Sequence, residues 1–270
     1  MRRLGVVGLT ALDLVDGRPP RVGGAVYYAA RVLRFLGHPA VLATKFAESD
    51  RAIVAPLFRL GVPVETGPAS STISFRIDNE PGGRRMAIES LGDPWTPEEA
   101  QGWLTRALAG TDYLHAGALT RADFSPETLS TLSAGRILSL DGQGLVRRAH
   151  TGKLVLETDF DRELLRQVDI LKLGEEEADA LGLGHDERSL GSLGVPEVVV
   201  TLARRGAIVY ADGLAEHVPT RPLDGIDPTG AGDQFIAAYL SYRRRGHGPP
   251  SAARCATDAV YALLAGWPGR

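Results

Sequence analysis

The sequence predicts an α/β protein whose central sheet is mostly parallel and flanked by helices. Along the 270-residue chain, short apolar runs alternate with longer segments whose apolar residues recur at helical spacing, which is typical of parallel strands joined by crossover helices. The hydrophobic share of 44% suffices for a substantial core, and a formal net charge of -3 argues against disorder. Two strand-like runs around a turn-rich stretch at residues 79–83 interrupt the alternation and predict a β-hairpin.

The elements follow from local pattern. A compact apolar run at residues 4–9 predicts a buried strand, and Gly23 and Gly24 precede a helix that Gly37 ends. The same criteria predict strands at residues 40–44, 62–65, 113–116, 137–140, 169–173, 197–202 and 207–211, and helices at residues 49–60, 97–108, 126–133, 161–168 and 175–181. No long linker or internal repeat divides the chain, so we expect a single domain over residues 1–270.

The hairpin lies near residues 71–90. Its two strand-like runs, residues 72–77 and 84–89, flank a segment that contains one proline and two glycines. In a sheet-and-helix fold, such a hairpin projects from the sheet edge and can cover a site at the strand ends. We therefore expect it to form a small β lid.

Composition excludes several classes of function. No run of about 18 apolar residues is present, so no membrane-spanning helix is predicted. A pI of about 6.1 argues against a mainly electrostatic nucleic-acid binder. The single cysteine, Cys255, excludes an intrachain disulfide and a cysteine-rich zinc site. We expect a cytoplasmic protein that acts on a small molecule, with no nucleic-acid or membrane partner, as a monomer or a homodimer.

Three common site patterns are absent. Residues 151–154 read Thr-Gly-Lys-Leu, so the P-loop motif is missing. No Gly-x-Gly-x-x-Gly follows the first strand, and no Gly-x-Ser-x-Gly occurs. These absences disfavour a P-loop phosphotransferase, a dinucleotide enzyme and an α/β hydrolase.

The most informative stretch is residues 227–235, Asp-Pro-Thr-Gly-Ala-Gly-Asp-Gln-Phe. Apolar residues follow at helical spacing, so the small residues 230–232 form a turn at a helix N-terminus. The first N–H groups of a helix lack partners within it, and small residues let an anion approach them. Asp233 beside such a site can accept a proton from an attacking hydroxyl. A plain tight turn with a carboxylate that serves the helix dipole fits these residues equally well.

This stretch resembles, at every fixed position, the C-terminal signature Asp-x-Thr-Gly-Ala-Gly-Asp-x-Phe of the ribokinase-like, or PfkB-type, carbohydrate kinases. Gly23-Gly24 before an alanine-rich helix is similar to the family's N-terminal signature. Residues 169–178 resemble the segment that holds the family's Asn-x-x-Glu motif, and residues 200–207 resemble its nucleotide-side strand and turn. The resemblance implies a ribokinase-like fold and ATP-dependent phosphorylation of a hydroxyl on a sugar, polyol or inositol.

The resemblance also implies the parts of the catalytic site. Asp233 would deprotonate the acceptor hydroxyl. The N–H groups of Gly230, Ala231 and Gly232, together with that of Asp233, would form an anion hole for the transferred phosphoryl group. Glu177 would organise Mg²⁺ through water, because this ion keeps several of its waters.

Further residues are implied on the acceptor and donor sides. The residues implied to bind the acceptor are Asp13, Gly23, Gly24, Tyr28, Gln143 and Arg147. Those implied near the nucleotide are Thr201, Arg205 and Gly206, and those implied at a monovalent-cation loop are Asp227 and Thr229. Gln143 and Arg147 belong to residues 141–147, which resemble an Asp-x-Gln-Gly-x-x-Arg stretch of inositol kinases. A glycine-rich turn with a solvated arginine fits that stretch equally well.

The chain departs from the family pattern at two informative positions. Gly174 stands where the motif has asparagine, and Tyr28 stands where many sugar kinases have a substrate-binding asparagine. A tyrosine offers one hydroxyl and an apolar ring face, which favours a ring-shaped polyol as acceptor. Two alternatives stay open: a nucleoside kinase on the same scaffold, and a non-catalytic sugar or nucleotide sensor that kept the fold.

Overall fold

The computed structural model describes residues 2–80, 83–221, 223 and 225–266. The strands are β1 (Arg3–Gly8), β2 (Ala11–Val15), β3 (Arg21–Gly23), β4 (Ala40–Lys45), β5 (Val64–Gly67), β6 (Ile73–Glu80), β7 (Gly83–Ser90), β8 (Thr111–Gly117), β9 (Ile137–Asp141), β10 (Gly152–Lys153), β11 (Ile170–Gly174), β12 (Glu197–Thr201), β13 (Ala207–Ala211) and β14 (Leu214–Val218). The helices are α1 (Ala25–Leu36), α2 (Arg51–Arg59), α3 (Pro97–Glu99), α4 (Thr105–Ala107), α5 (Pro126–Ser133), α6 (Gln143–Val146), α7 (Glu175–Ala180), α8 (Glu187–Gly191), α9 (Ala231–Arg244) and α10 (Pro249–Leu264).

The central sheet contains nine of the strands in the described ranges, in the order β14-β13-β12-β11-β9-β8-β1-β4-β5. From β12 to β5 every neighbouring pair is parallel, whereas β13 and β14 are added antiparallel at one edge. The predicted mostly parallel sheet with flanking helices is therefore confirmed. Parallel strands are covered on both faces, and buried apolar side chains accordingly form one cluster on each side of the sheet.

A second sheet stands beside the carboxyl ends of the central strands. Its order is β10-β7-β6-β2-β3, and only two residues separate the end of β1 from the start of β2. The predicted hairpin is present as β6 and β7, which pair antiparallel, while its tip at residues 81 and 82 lies outside the described residues. The sheet is wider than the predicted lid, because β2, β3 and β10 also belong to it. Their pairings join segments that are distant in sequence, and short local patterns do not predict such pairings.

Two predicted helices take other forms. The segment predicted as one helix at residues 97–108 is interrupted by a π-helical turn at Ala100–Leu104, where Gly102 has non-helical backbone angles. The segment predicted as a helix at residues 161–168 is a 3₁₀ helix at Arg162–Gln167. No helix in the described ranges is both long and apolar enough to cross a bilayer.

Candidate active site

The small residues of the signature form a turn at the N-terminus of α9. Gly230 has φ 75°, and a Cβ there would lie 2.1 Å from Cγ of Tyr28, so only glycine fits. The Ala231 N–H donates to the Pro228 carbonyl at 3.0 Å, so this predicted member of the anion hole is already bonded. The N–H groups of Gly232 and Asp233 have no hydrogen-bond partner in the described part of the chain. Two adjacent free donors at a helix N-terminus can bind an anion.

Asp233 lies in the first turn of α9 with a free carboxylate oxygen. Its Oδ1 is buried and has no hydrogen-bond partner among the described residues. Burial and the nearby Asp141 carboxylate raise the pKa of Asp233 to about 7, although the cations Lys172 and Arg147 act in the opposite direction. A carboxyl group that titrates near neutrality is well suited to take a proton from a hydroxyl.

Asp141 and Lys172 form a buried ion pair beneath this turn. Asp141 ends β9 and Lys172 lies opposite it in the register of β11, with Nζ 3.2 Å from Asp141 Oδ2. Burial alone would lower the pKa of Lys172, but the carboxylates of Asp141 and Glu177 outweigh it and hold the pKa above its ordinary value. Lys172 was not predicted as a site residue, and Asp141 was named only as the first residue of the stretch at residues 141–147. The available signal was a lysine inside an apolar strand, since buried lysines are rare without a partner.

Glu177 is held between a backbone amide and two cations. Its Oε2 accepts a hydrogen bond of 2.6 Å from the Gly174 N–H and lies 3.9 Å from Lys172 Nζ, and its Oε1 lies 3.7 Å from Arg147 Nη2. A Cβ at Gly174 would make only ordinary contact, at 3.4 Å from the Glu177 carboxylate. A side chain would therefore fit at this position, where the family motif has asparagine. In the described ranges no three His, Cys, Asp or Glu side chains are grouped to hold a metal ion. The contact of Glu177 with metal-bound water stays a prediction.

Among the residues predicted to bind the acceptor, Tyr28 connects Asp13 to the signature turn. Its hydroxyl donates to Asp13 Oδ2 at 3.3 Å, and its ring packs on Gly230. The ring face expected to meet an acceptor is thus partly used in packing. Burial raises the pKa of Asp13 against the lowering effects of the Tyr28 hydrogen bond and the Arg21 charge. A Cβ at Gly23 would lie 2.3 Å from Asp13 Oδ2, so glycine at this position makes room for the carboxylate.

Gln143 and Arg147, from the stretch that resembles inositol kinases, lie on α6 and just after it. The Gln143 N–H donates to Asp141 Oδ1 at 3.0 Å. Gln143 Oε1 and Arg147 Nε are buried and have no hydrogen-bond partner among the described residues. Because buried polar atoms are normally bonded, an acceptor and a donor left open at the strand ends indicate a place for a polar ligand. The Arg147 side chain is only 16% exposed, so it is not the solvated arginine that the interpretation as a glycine-rich turn implies.

The three residues predicted near the nucleotide lie together next to β11. Thr201 is in register with Gly174, and its hydroxyl donates to the Leu173 carbonyl at 3.2 Å. Arg205 forms an ion pair with Glu175. Gly206 has φ 93°, and a Cβ there would lie 2.1 Å from the Val218 carbonyl oxygen. The tight turn between β12 and β13 alone therefore explains this glycine, and its nucleotide role stays a prediction.

We expect Gly206→Ala to lower the free energy of unfolding by about 3 kcal/mol or more, because backbone strain and a backbone clash add. Gly213→Ala is the matched control, since Gly213 also has a positive φ (79°) but nothing within 4 Å of its Cβ position. The control should cost only about 1 to 2 kcal/mol. Urea unfolding of both variants measures the difference, and equal losses would contradict the turn explanation.

Asp227 and Thr229, predicted near a monovalent cation, already bond to protein groups. Asp227 Oδ1 accepts from the Thr229 hydroxyl at 2.5 Å and from its N–H at 3.0 Å, and Oδ2 pairs with Arg21 at 2.9 Å. Burial would raise the pKa of Asp227, but these bonds lower it to about 2. A cavity of about 670 Å³ adjoins the pair, and its lining includes Tyr28 and Leu264 but not Asp233. The cation role stays a prediction.

Comparisons with known proteins show which sequences and folds this chain is similar to. The family model described as "pfkB family carbohydrate kinase" matches residues 108–260. The chain is 30% identical to a cytidine kinase of Thermococcus kodakarensis over 98% of this chain and 95% of the relative. It is 35% identical to an inositol 3-kinase of Zea mays over 43% of this chain, a match that spans only 30% of the plant protein. A pyrophosphate-dependent kinase of the ribokinase family, solved with a pyrophosphate analog and myo-inositol, superposes with a TM-score of 0.83 at 24% identity, over 98% of this chain and 96% of that one.

The central sheet, the second sheet at its carboxyl edge and the glycine turn at the start of α9 define a ribokinase-like protein. The match over residues 108–260 and the full-length resemblance to the archaeal cytidine kinase make the assignment more specific. The chain belongs to the pfkB family of carbohydrate kinases.

Proposed function

We propose that this protein transfers the γ-phosphoryl group of ATP, with Mg²⁺, to a hydroxyl of a small sugar, polyol or inositol. One observation carries the proposal: the buried, unpartnered Asp233 Oδ1 lies next to the free N–H groups of Gly232 and Asp233. A base and an anion-binding turn within one helical turn are the two parts that phosphoryl transfer to a hydroxyl needs. The protein would act in the cytoplasm, as a monomer or a homodimer.

In the proposed reaction, the acceptor hydroxyl oxygen attacks the γ-phosphorus while its proton passes to the Asp233 carboxylate. The bond from the γ-phosphorus to the oxygen that bridges to the β-phosphate breaks, and ADP leaves. The free N–H groups of Gly232 and Asp233 would stabilise charge on the transferred group. Mg²⁺, when bound, supplies positive charge to the donor phosphates, and Glu177 would hold it through water. Arg147, 3.7 Å from Glu177, would keep that carboxylate in place.

The polar atoms left open favour a hydroxyl-rich acceptor. Asp13 offers a carboxylate, Gln143 Oε1 is a free acceptor, and Asp233 Oδ1 is another. Each can accept a hydrogen bond from a hydroxyl, and Arg147 Nε can donate to one. A polyol satisfies this set better than an acceptor with few hydroxyls. The inositol kinase match and the neighbouring structure with myo-inositol support a cyclic polyol.

A nucleoside kinase is the second candidate. A relative aligned over nearly the whole of this chain is a cytidine kinase, and a ribose also presents hydroxyls. A nucleoside further requires room for a base, which a free polyol does not. The two candidates therefore predict different results when the same sugar is offered with and without a base.

The test is a turnover screen of the purified protein with inositols, hexoses, pentoses and nucleosides. ATP and pyrophosphate are each supplied as donor, because the neighbouring structure is of a pyrophosphate-dependent kinase. ADP release or phosphate release is then measured. Preference for an inositol or a free sugar supports the proposal, and preference for cytidine over ribose would support the nucleoside kinase. No turnover with any pair would support the non-catalytic sensor instead.

We expect Asp13→Asn to raise the KM for the acceptor by roughly tenfold, because a charged hydrogen-bond acceptor is lost. The KM for ATP should change little, since Asp13 lies on β2 of the second sheet, whereas Thr201, predicted near the nucleotide, lies on β12 of the central sheet. Asp16→Asn is the matched control: this exposed carboxylate bonds to Asn79. Steady-state kinetics with the acceptor found in the screen measure both variants. An unchanged acceptor KM in Asp13→Asn would remove Asp13 from the acceptor site.

A further inference from the structure

One buried cation at this edge of the sheet has no part in the mechanism above. Lys172 lies on β11, between β9 and β12, and is only 3% exposed. Its ammonium group lies 3.2 Å from Asp141 and 3.9 Å from Glu177. A long flexible side chain held in this way on a central strand has a fixed position.

The same ammonium group lies against the anion-binding turn. A Cβ built on Gly232 would lie 3.3 Å from Lys172 Nζ and 3.4 Å from its Cε. Gly232 carries one of the two free N–H groups of the turn. The Lys172 carbonyl in addition accepts a 2.7 Å hydrogen bond from the Gly142 N–H. Lys172 therefore contacts the turn with its side chain and anchors the loop before Gln143 with its backbone.

Charge explains why a cation is needed at this place. Asp233 at this edge is affected by the carboxylates of Asp141 and Glu177, and the cations Lys172 and Arg147 oppose their effect. A phosphate donor brings further negative charge to the same edge. Inside a protein such repulsion is much stronger than in water. Without the ammonium group, the carboxylates would repel the group that the turn is built to bind.

We propose that Lys172 is a positioning residue for phosphoryl transfer, whose ammonium group supports anion binding at the Gly232 turn and holds Asp141 and Glu177 in place. This inference rests on the proposed function. It adds that Lys172 offsets the negative charge of the site, although this residue is expected to touch neither the acceptor nor the donor.

The test compares two variants. Lys172→Met keeps the length of the side chain but removes its charge, and Lys172→Met/Asp141→Asn also removes the carboxylate left unpaired. We expect Lys172→Met to lower kcat by roughly 100-fold, as losses of electrostatic stabilisation do, with a smaller change in the acceptor KM. The double variant should recover part of the lost thermal stability, because the carboxylate paired directly with Lys172 is removed as well, but it should not recover kcat.

Lys45→Met is the matched control. Lys45 is also a strand lysine that is 3% exposed, and it donates to Glu99 at 2.7 Å, but it lies on β4, three strands away from β9 in the sheet order. Its replacement should lower the melting temperature while kcat, measured well below that temperature, stays near wild type. The control shows what the loss of a buried lysine costs by itself.

Isothermal titration of inorganic pyrophosphate gives a second readout that needs no turnover. Binding should be weaker in Lys172→Met than in wild type and unchanged in Lys45→Met. If wild-type protein transfers no phosphoryl group, the proposed function fails, and this titration still tests the role of Lys172. Three outcomes would each overturn the proposal. The double variant could recover kcat, or Lys172→Met could bind pyrophosphate as tightly as wild type does. The third outcome is that neither Lys172 variant folds.

Discussion

Asp233→Asn should lower kcat by roughly 100-fold or more, because an amide of the same size cannot take the proton of the acceptor hydroxyl. The KM for ATP should stay near wild type, since the turn that faces the donor is unchanged. Coupled ADP release with the acceptor found in the screen measures both constants. Turnover near the wild-type rate in the Asn variant would remove Asp233 from the role of base.

The pH dependence of the wild-type protein tests the same assignment. The pKa of Asp233 is raised to about 7, first by burial and then by the Asp141 carboxylate. The base must be ionised to act, so kcat/KM should fall about tenfold per pH unit below that value. A rate that stays level down to pH 5 would contradict this assignment.

The pH dependence of stability should be opposite to that of activity, because the contribution of Asp233 to stability falls as the pH rises. A carboxyl group whose pKa is raised by folding contributes stability below its unfolded pKa, and that contribution is lost as the pH rises through the folded value of about 7. Asp233→Asn should therefore raise the melting temperature at pH 8 and change it little at pH 4. Asp227→Asn is the contrasting control, because the pKa of Asp227 is lowered to about 2 and its charge stabilises the fold at pH 8. Scanning calorimetry at the two pH values measures both variants, and a loss of stability in Asp233→Asn at pH 8 would contradict the expectation.

Gly232→Val should abolish most phosphoryl transfer, with kcat lower by roughly 100-fold or more. Gly232 has no positive φ, so valine can adopt its backbone conformation. The branched side chain would be forced against Lys172 Nζ, 3.3 Å from the Cβ position, next to a free N–H of the turn. The fold should survive, and circular dichroism together with kcat measures the two effects separately.

Gly248→Val is the control for this substitution. Gly248 also stands at the start of a helix, α10, and a Cβ there would meet nothing within 4 Å. It should retain wild-type turnover. A Gly232→Val protein that is folded and fully active would show that the turn does not bind phosphate.

Most of the central sheet was predictable because its strands are continuous apolar runs bounded by polar or turn residues. The strand predicted at residues 207–211 and the helix predicted at residues 126–133 agree with β13 and α5. The strands of the second sheet were harder to predict. Outside the hairpin they are short, and they are stabilised by partners distant in sequence, as in the pairing of β2 with β6.

The candidate site likewise contains residues that local sequence predicts and residues that only the fold brings together. The glycine turn and Asp233 lie within one helical turn, so local sequence was enough to predict an anion site with an adjacent carboxylate. Asp141 and Lys172 are 31 positions apart and meet only because β9 and β11 pair in a register that sets them opposite each other. Tyr28 was predicted to offer its ring to the acceptor, but packing on Gly230 determines where that ring lies.

The sequence by itself therefore determined the fold class, the signature turn and the carboxylate beside it, because each depends on spacing along a single strand or helix. Only the tertiary structure decided which N–H groups of the turn are free and which cation lies against it. It also decided the burial of Asp233 and its closeness to Asp141, which raise the pKa of the Asp233 carboxyl group. The physical reason is that hydrogen bonding, burial and charge interactions act through space, and strand register and helix packing bring together groups that the sequence separates.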